Sequence, residues 1–187
     1  MNLKFRKTGF SLIELLVSTA LFALIMISAM SIFNMVLKDQ RTALAVQNVQ
    51  ESLKYFLEMT GKEIRMAQRN DGGCAGIPND QIYLVSSSTY SDMLSFKNYH
   101  NQCVSYYLSN DNGVKRFTIS RDGMSDYASP AVINISSLSF LLRPEGGPNN
   151  YQPAITIDFT AQAVGFEASS SLIQMQTTLT SRYYKAN

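Results

Sequence analysis

The chain has 187 residues, of which 45% are hydrophobic and only 16% are charged. Soluble domains carry roughly 25% charged residues, so the composition indicates a concentrated apolar segment in a chain that otherwise suits one domain. The counts of Gly (10), Pro (5) and Cys (2) exclude a collagen-like chain, a disordered chain and a disulfide-rich miniprotein. Without its first nine residues the chain is close to neutral, so nucleic acid is not an expected partner.

An apolar run over residues 10–37 contains a single charge, Glu14. As a helix rising about 1.5 Å per residue, it exceeds the roughly 30 Å hydrocarbon core of a bilayer. Lys4, Arg6 and Lys7 precede the run, and basic flanks stay in the cytoplasm. The sequence therefore predicts one span of the inner, cytoplasmic membrane, with the N-terminus cytoplasmic and the rest of the chain outside.

Two simpler interpretations of this segment are a secretory signal peptide and a plain membrane anchor. The apolar core of a signal peptide has about 7 to 15 residues and ends at a small-residue site, whereas this run continues past Ser28 and Ala29. A plain anchor leaves the Glu14 carboxylate without a partner in apolar surroundings, which is costly. Glu14 therefore requires another explanation.

The motif Gly9-Phe10-Ser11-Leu12-Ile13-Glu14 follows the short basic leader. It closely resembles the type III signal of type IV pilins and type II secretion pseudopilins. The resemblance implies that prepilin peptidase cleaves between Gly9 and Phe10, that Phe10 becomes N-methylated, and that Glu14 pairs with the N-terminal amine of a neighbouring subunit. The implied partners are other pilin or pseudopilin subunits, the peptidase and an inner-membrane assembly platform. One departure is the lack of a helix-kinking proline in residues 27–33.

After residue 37 the sequence predicts an amphipathic continuation of the helix over 38–69 that ends near Gln68, before the breaker cluster at 70–73. Its apolar positions recur at steps of three and four. This stripe packs either on the protein's own sheet, the interpretation we favour, or on a partner helix. The stripe consists of Val46, Val49, Leu53, Phe56, Thr60, Ile64 and Ala67.

From Cys74 onward the apolar residues alternate with a period of two, which predicts antiparallel strands. The expected fold class is α+β and pilin-like, with a long N-terminal helix packed on an antiparallel sheet domain. The expected organisation is a leader (1–9), a transmembrane and assembly helix (10–37), its amphipathic continuation (38–69) and a head domain outside the cytoplasm (70–187). The predicted strands cover residues 82–85, 93–96, 103–108, 115–120, 132–142, 154–163 and 172–183, with turns at 110–113 and 145–150.

The helical segments 49–56 and 63–67, together with the order of the late strands, are similar to the larger minor pilins and J-type minor pseudopilins. The expected function is therefore a structural subunit of a type IV pilus or a type II secretion filament. The sequence does not separate these two systems from DNA uptake. The alternative is a ligand-binding or DNA-binding adhesin or uptake subunit displayed on the filament.

Cys74 and Cys103 lie outside the cytoplasm in this topology, where disulfides form. A bridge closes a loop of 29 residues and contributes roughly 3.5 kcal/mol by the chain-entropy estimate. We predict the bridge; the alternative is two buried free thiols. His100 lies three residues before Cys103, but a lone His and Cys do not form a zinc site, so we expect a surface histidine.

No sequence motif indicates catalysis or cofactor binding, so we predict neither an enzyme nor a metal site. A phosphate-binding loop and a dinucleotide fingerprint are both absent from the sequence. The acidic segments 110–113 and 122–126 offer oxygens to calcium, but neither has EF-hand spacing, and turns are the expected structure. Tyr99, Tyr106 and Tyr107 are expected to be strand and core residues rather than a stacking surface.

Overall fold

A computed structural model of the protein describes residues 9–143, 152–166 and 171–182. The leader residues 1–8, the predicted turn at 145–150 and Tyr183 lie outside these ranges. The chain divides into two compact units, Met1–Ala43 and Leu44–Asn187. The described residues form a long helix and antiparallel β-sheets, as predicted for an α+β fold with a pilin-like layout.

The helix α1 spans Leu12–Arg65, a length of 54 residues. At its start the backbone N–H of Ser11 donates to Oε2 of Glu14 at 3.0 Å, which is the glutamate half of a capping box. The helix passes through residues 27–33 without a break, in keeping with the lack of proline there.

The helix ends three residues before the expected Gln68. The backbone N–H of Gln68 donates to the carbonyl of Lys97 at 2.8 Å, so this residue has already joined a strand partner. A carbonyl near the helix end, that of Ile64, accepts the hydroxyl of Tyr83 at 2.6 Å. Tertiary hydrogen bonds, which no local pattern reveals, thus set the end of α1.

In the first unit, the apolar side chains of α1 have no protein covering. The large hydrophobic residues between Phe10 and Val36 are 46% to 80% exposed. This part of the helix is also long and apolar enough to cross a membrane. Such a surface requires lipid or other helices around it.

Among its described residues, the second unit contains two antiparallel sheets, a division that the predicted antiparallel sheet domain did not specify. The first has five strands in the order β1-β2-β3-β4-β5, and the second has three in the order β6-β7-β8. The strands are β1 (Tyr83–Ser87), β2 (Asp92–Lys97), β3 (Cys103–Asp111), β4 (Val114–Arg121), β5 (Met124–Tyr127), β6 (Ile133–Arg143), β7 (Ala154–Ala163) and β8 (Ile173–Thr180).

Seven of these strands match the predicted ones with shifts of a few residues at their ends, and β5 is additional. Two hairpin turns are of the two-residue type in which both residues have positive φ. Asn112 and Gly113 connect β3 to β4, and Asp122 and Gly123 connect β4 to β5. The turn predicted at 110–113 is therefore confirmed, and the segment 122–126 forms a second turn and the edge strand β5.

The apolar stripe of α1 packs on the protein's own sheets. Val49, Leu53, Phe56, Thr60, Ile64 and Ala67 are buried, and Val46 is half-buried. The ring centroids of Phe56 and Phe117 lie 3.9 Å apart, which ties the helix to β4. The favoured interpretation of the stripe is thus confirmed for these residues.

Candidate functional site

The junction predicted for cleavage lies immediately before α1. Gly9 and Phe10 are outside regular structure, and the Phe10 side chain is 80% exposed. A Cβ atom built on Gly9 has no heavy atom within 4 Å. The backbone at this junction is therefore open to an approaching enzyme.

Glu14 lies in the first turn of α1, with its carboxylate directed toward the start of the helix. The carboxylate accepts the Ser11 N–H, and no cation of the described residues lies within 4.0 Å of it. A carboxylate at a helix N-terminus is stabilised by the helix dipole, but in lipid it still carries a charge that is costly to bury.

In the second unit, Glu63 of α1 is the centre of a polar cluster that joins the helix to the five-stranded sheet. Its carboxylate accepts hydrogen bonds from the Tyr106 hydroxyl, from Asn98 Nδ2 at 2.9 Å and from Arg121 Nη2 at 3.0 Å. Burial alone would raise the pKa of Glu63, but these three hydrogen bonds together hold its pKa below the ordinary value of 4.5. Glu63 is therefore an ionised, fully bonded anchor.

Sequence reasoning assigned no role to Glu63, Asn98 or Arg121, and it treated Tyr106 only as a strand and core residue. The available signal was the position of Glu63 seven residues after Phe56 and three after Thr60, at the border of the buried stripe. A carboxylate there needs donors from the facing sheet. Those donors are up to 58 residues away along the chain, beyond the reach of a local pattern.

The structure contains the predicted disulfide between Cys74 and Cys103, whose Cα atoms are 5.5 Å apart. It fastens the connection between α1 and β1 to the first residue of β3. The same connection is organised by the buried Asn70, whose Nδ2 donates to the carbonyls of Cys74 and Ile77 and whose Oδ1 accepts the N–H of Cys74. The bridge thus lies in a loop that is already well ordered by hydrogen bonds.

The acidic segments considered for calcium do not converge in the structure. Asp111 pairs with Arg116 at 2.7 Å, Asp122 accepts the Cys103 N–H at 2.9 Å, and Asp126 accepts the N–H of Tyr127. Within the described residues, no group of three or more His, Cys, Asp or Glu side chains could hold a metal ion. These carboxylates form local ion pairs and hydrogen bonds within turns and strands.

The histidine and the tyrosines differ in where they lie. His100 is exposed beside Tyr99, with ring centroids 3.9 Å apart. Tyr106 is fully buried and Tyr107 lies on β3, as expected. The expectation for Tyr99 was wrong, because it lies in the loop after β2 and is 41% exposed.

A comparison with protein-family models identifies the start of the chain. Residues 4–30 match the prokaryotic N-terminal methylation motif, which is the signal of type IV pilins and pseudopilins. The chain carries a prepilin-type signal. The match includes Gly9, Phe10 and Glu14 and most of the exposed apolar part of α1.

The prepilin-type signal, together with the exposed apolar helix, indicates a single-pass, membrane-anchored protein that is processed by a peptidase. It also indicates a structural subunit that interacts with other pilin-type subunits. No curated protein and no solved structure matches the chain.

Proposed function

We propose that this prepilin-type protein is a minor pilin or minor pseudopilin, a structural subunit of a type IV pilus or type II secretion filament. The observation that supports this proposal is the methylation motif at residues 4–30, placed on a helix whose apolar side chains are uncovered. A membrane holds such a helix before assembly, and a bundle of like helices holds it afterwards.

In this proposal the basic leader keeps the N-terminus in the cytoplasm, where the peptidase cleaves after Gly9 and Phe10 is methylated. Residues 10–37 then span the inner membrane, the segment 38–69 carries the remainder of α1, which ends at Arg65, and 70–187 form the head outside the cytoplasm. An assembly platform extracts the subunit from the membrane into the filament.

Glu14 has a defined role in this mechanism. Cleavage creates a positively charged amine at Phe10, four positions before Glu14. In a filament core of low dielectric, the amine of one subunit and the Glu14 carboxylate of its neighbour attract each other strongly, but only at good geometry. The pair therefore selects the correct register between neighbouring helices.

An alternative role is an adhesin or uptake subunit whose head binds a ligand or DNA. One feature favours a binding role for the head: a groove lined by four basic side chains, Lys54, Lys62, Arg65 and Arg182. Such a role is compatible with assembly through the helix.

Processing is tested by intact-mass spectrometry of the full chain extracted from membranes of cells that contain a prepilin peptidase. We expect a chain that begins at methylated Phe10. The matched variant Gly9→Val, which places a β-branched side chain at the open junction, should retain residues 1–9. Recovery of the wild-type protein with Met1 still present would show that the motif is not used as a processing signal.

A further inference from the structure

A groove of about 450 Å³ lies between α1 and β8 in the second unit. Its floor contains aliphatic and small side chains, and its rim is charged. The floor is formed by Leu57, Gly61, Met66, Thr177 and Leu179, and the rim by Lys54, Glu58, Lys62, Arg65 and Arg182.

The four basic side chains of this groove lack acidic partners. Within the described residues, none of them lies within 4.0 Å of a carboxylate, whereas Lys97, Arg116 and Arg121 of the same unit all form ion pairs. Lys62 and Arg65 belong to the last turn of α1 and offset the helix dipole. Lys54 and Arg182 have no such role, so the groove has positive charge beyond what the fold uses.

The strand that borders the groove is a sheet edge. β8 pairs with β7, and no strand among the described residues pairs with its other side. Ile173, Met175 and Thr177, which alternate along β8, are only half-buried, so its inner face is incompletely covered. Free backbone N–H and C=O groups on such an edge can accept an additional strand.

We propose that the groove binds an extended acidic segment of a partner protein, which adds as a fourth strand beside β8. Alternate side chains of the segment pack on the floor at Leu57 and Leu179, and its carboxylates reach Lys54 and Arg182 at the rim. Charge complementarity identifies the segment as acidic, and the free edge identifies it as extended. This proposal goes beyond assembly through the helix and does not depend on it.

The chemistry of the floor favours a peptide over a nucleic acid. Single-stranded nucleic acid binds through aromatic rings on which its bases stack, combined with a basic groove. Among the described residues, those that line this groove include no aromatic side chain. Aliphatic side chains beside a free strand edge suit alternating apolar residues of a peptide.

The test uses the full chain in detergent and a fluorescein-labelled peptide of eight residues, the length of β8, with alternating glutamate and valine. Fluorescence anisotropy at low ionic strength should show binding. The double variant Lys54→Glu and Arg182→Glu should weaken it by at least about tenfold, because two attractive charges become repulsive. Both replaced side chains are exposed, so thermal unfolding should stay unchanged.

Two controls separate the contribution of strand pairing to peptide binding from the contribution of charge. Lys115→Glu reverses a charge on β4, outside the groove, and should leave binding unchanged. The same peptide with N-methylated backbone amides keeps its carboxylates but cannot pair with a strand edge, and it should bind at least about tenfold more weakly.

Several results would overturn the proposal. Equal binding of the N-methylated peptide would show that charge alone attracts the probe. Equal binding by the double variant would place the site elsewhere on the protein. Tighter binding of a single-stranded oligonucleotide of equal charge would assign the groove to nucleic acid, and no binding of the peptide at about 1 mM would show that the groove is not a peptide site.

Discussion

Glu63 of α1 connects the helix to the five-stranded sheet of the second unit through the hydrogen bonds that its carboxylate accepts. Its partners come from three places: Asn98 follows β2, Tyr106 lies on β3 and Arg121 ends β4. If the carboxylate is removed, its three partners lose this acceptor, and if the partners are removed, the carboxylate is left without donors. Either change costs folding free energy. Glu63 therefore fixes the position of the helix relative to these strands.

We predict that Glu63→Gln lowers the free energy of unfolding by about 1–3 kcal/mol at pH 7, because a neutral amide replaces the acceptor of three donors. The pKa of Glu63 is lower in the folded protein than its ordinary value of 4.5. Its contribution to stability is thus fully present above about pH 4.5 and is lost as the pH falls through the folded pKa. The difference between wild type and variant should shrink at acid pH.

The measurement for this prediction is urea unfolding of the detergent-solubilised full chain at several pH values between about 3 and 7. Glu58→Gln, an exposed carboxylate on the same helix, is the control and should change the unfolding free energy by less than about 0.5 kcal/mol. A difference between wild type and Glu63→Gln that stays constant across this pH range would rule out the ionised anchor.

Tyr83 satisfies a backbone carbonyl at the end of the helix. Its hydroxyl donates to the Ile64 carbonyl at 2.6 Å, and burial raises the pKa of Tyr83 to about 12. The hydroxyl therefore remains a donor through the physiological range, and a carbonyl near the end of α1 keeps its partner. A tyrosine on β1 thus replaces the glycine or asparagine cap that commonly ends a helix.

At the scale of elements, the disulfide connects two segments that other interactions already order. Asn70 organises the loop after α1, and Lys97 of β2 pairs with Asp71 of that loop at 2.7 Å. Because these contacts do not involve the sulfur atoms, we expect them to persist in the folded state without the bridge. The bridge therefore acts mainly on the unfolded chain, whose freedom it restricts over 29 residues.

We predict that the double variant Cys74→Ser and Cys103→Ser folds to the same structure with an unfolding free energy lower by about 2–4 kcal/mol. Urea unfolding of the full chain measures the loss, and wild type under reducing conditions is the matched control, expected to behave like the variant. A loss below about 1 kcal/mol in both samples would show that the loop is constrained in the unfolded chain by other means.

The strands differ in how well the sequence predicts them. In β7, Ile155, Ile157 and Phe159 alternate with polar residues because one face is buried, and its limits were predicted without error. β5 was missed because all four of its residues are exposed, so burial leaves no alternation in the sequence. Its only local signal is the Asp122-Gly123 turn before it.

The division into two sheets was also beyond a local pattern. Alternation of apolar and polar residues indicates a half-buried strand, but it does not identify the strand that pairs with it. The pairing of β6 with β7 and β8, apart from β1 to β5, results from packing between segments distant in sequence. The same limit separates the motif residues Gly9, Phe10 and Glu14, which lie together in the chain, from Glu63 and Arg121, which do not.

At the scale of the whole molecule, the chain combines two units that differ in how far their apolar side chains are exposed. The unit Met1–Ala43 carries uncovered apolar side chains on a helix. Among the described residues, the unit Leu44–Asn187 buries most of its large apolar side chains in its own core, although single ones such as Met124 and Leu141 are exposed, and it carries the basic groove beside β8. The first unit suits lipid or a helix bundle, and the second suits an aqueous compartment.

We predict that Glu14→Ala leaves membrane insertion and head folding unchanged but reduces recovery in sheared filaments, or secretion, by at least about tenfold. Insertion depends on the apolar run, which this change makes slightly more apolar. The capping hydrogen bond to Ser11 is lost, at a local cost of about 1 kcal/mol or less. In the proposed mechanism, assembly depends on the pairing of Glu14 with a neighbour's Phe10 amine, and without the carboxylate we expect that amine to stay unpaired in an apolar bundle.

Cell fractionation measures both quantities in the same culture: the amount of subunit in the membrane and the amount in the filament fraction. Ser18→Ala, a neutral change one turn further along the helix, should leave both at wild-type levels. Glu14→Asp keeps the charge on a shorter side chain and should assemble at an intermediate level, because attraction remains while the geometry is poorer. Filament recovery of Glu14→Ala equal to that of wild type would show that register in this filament is set without the carboxylate, by packing of the apolar side chains alone.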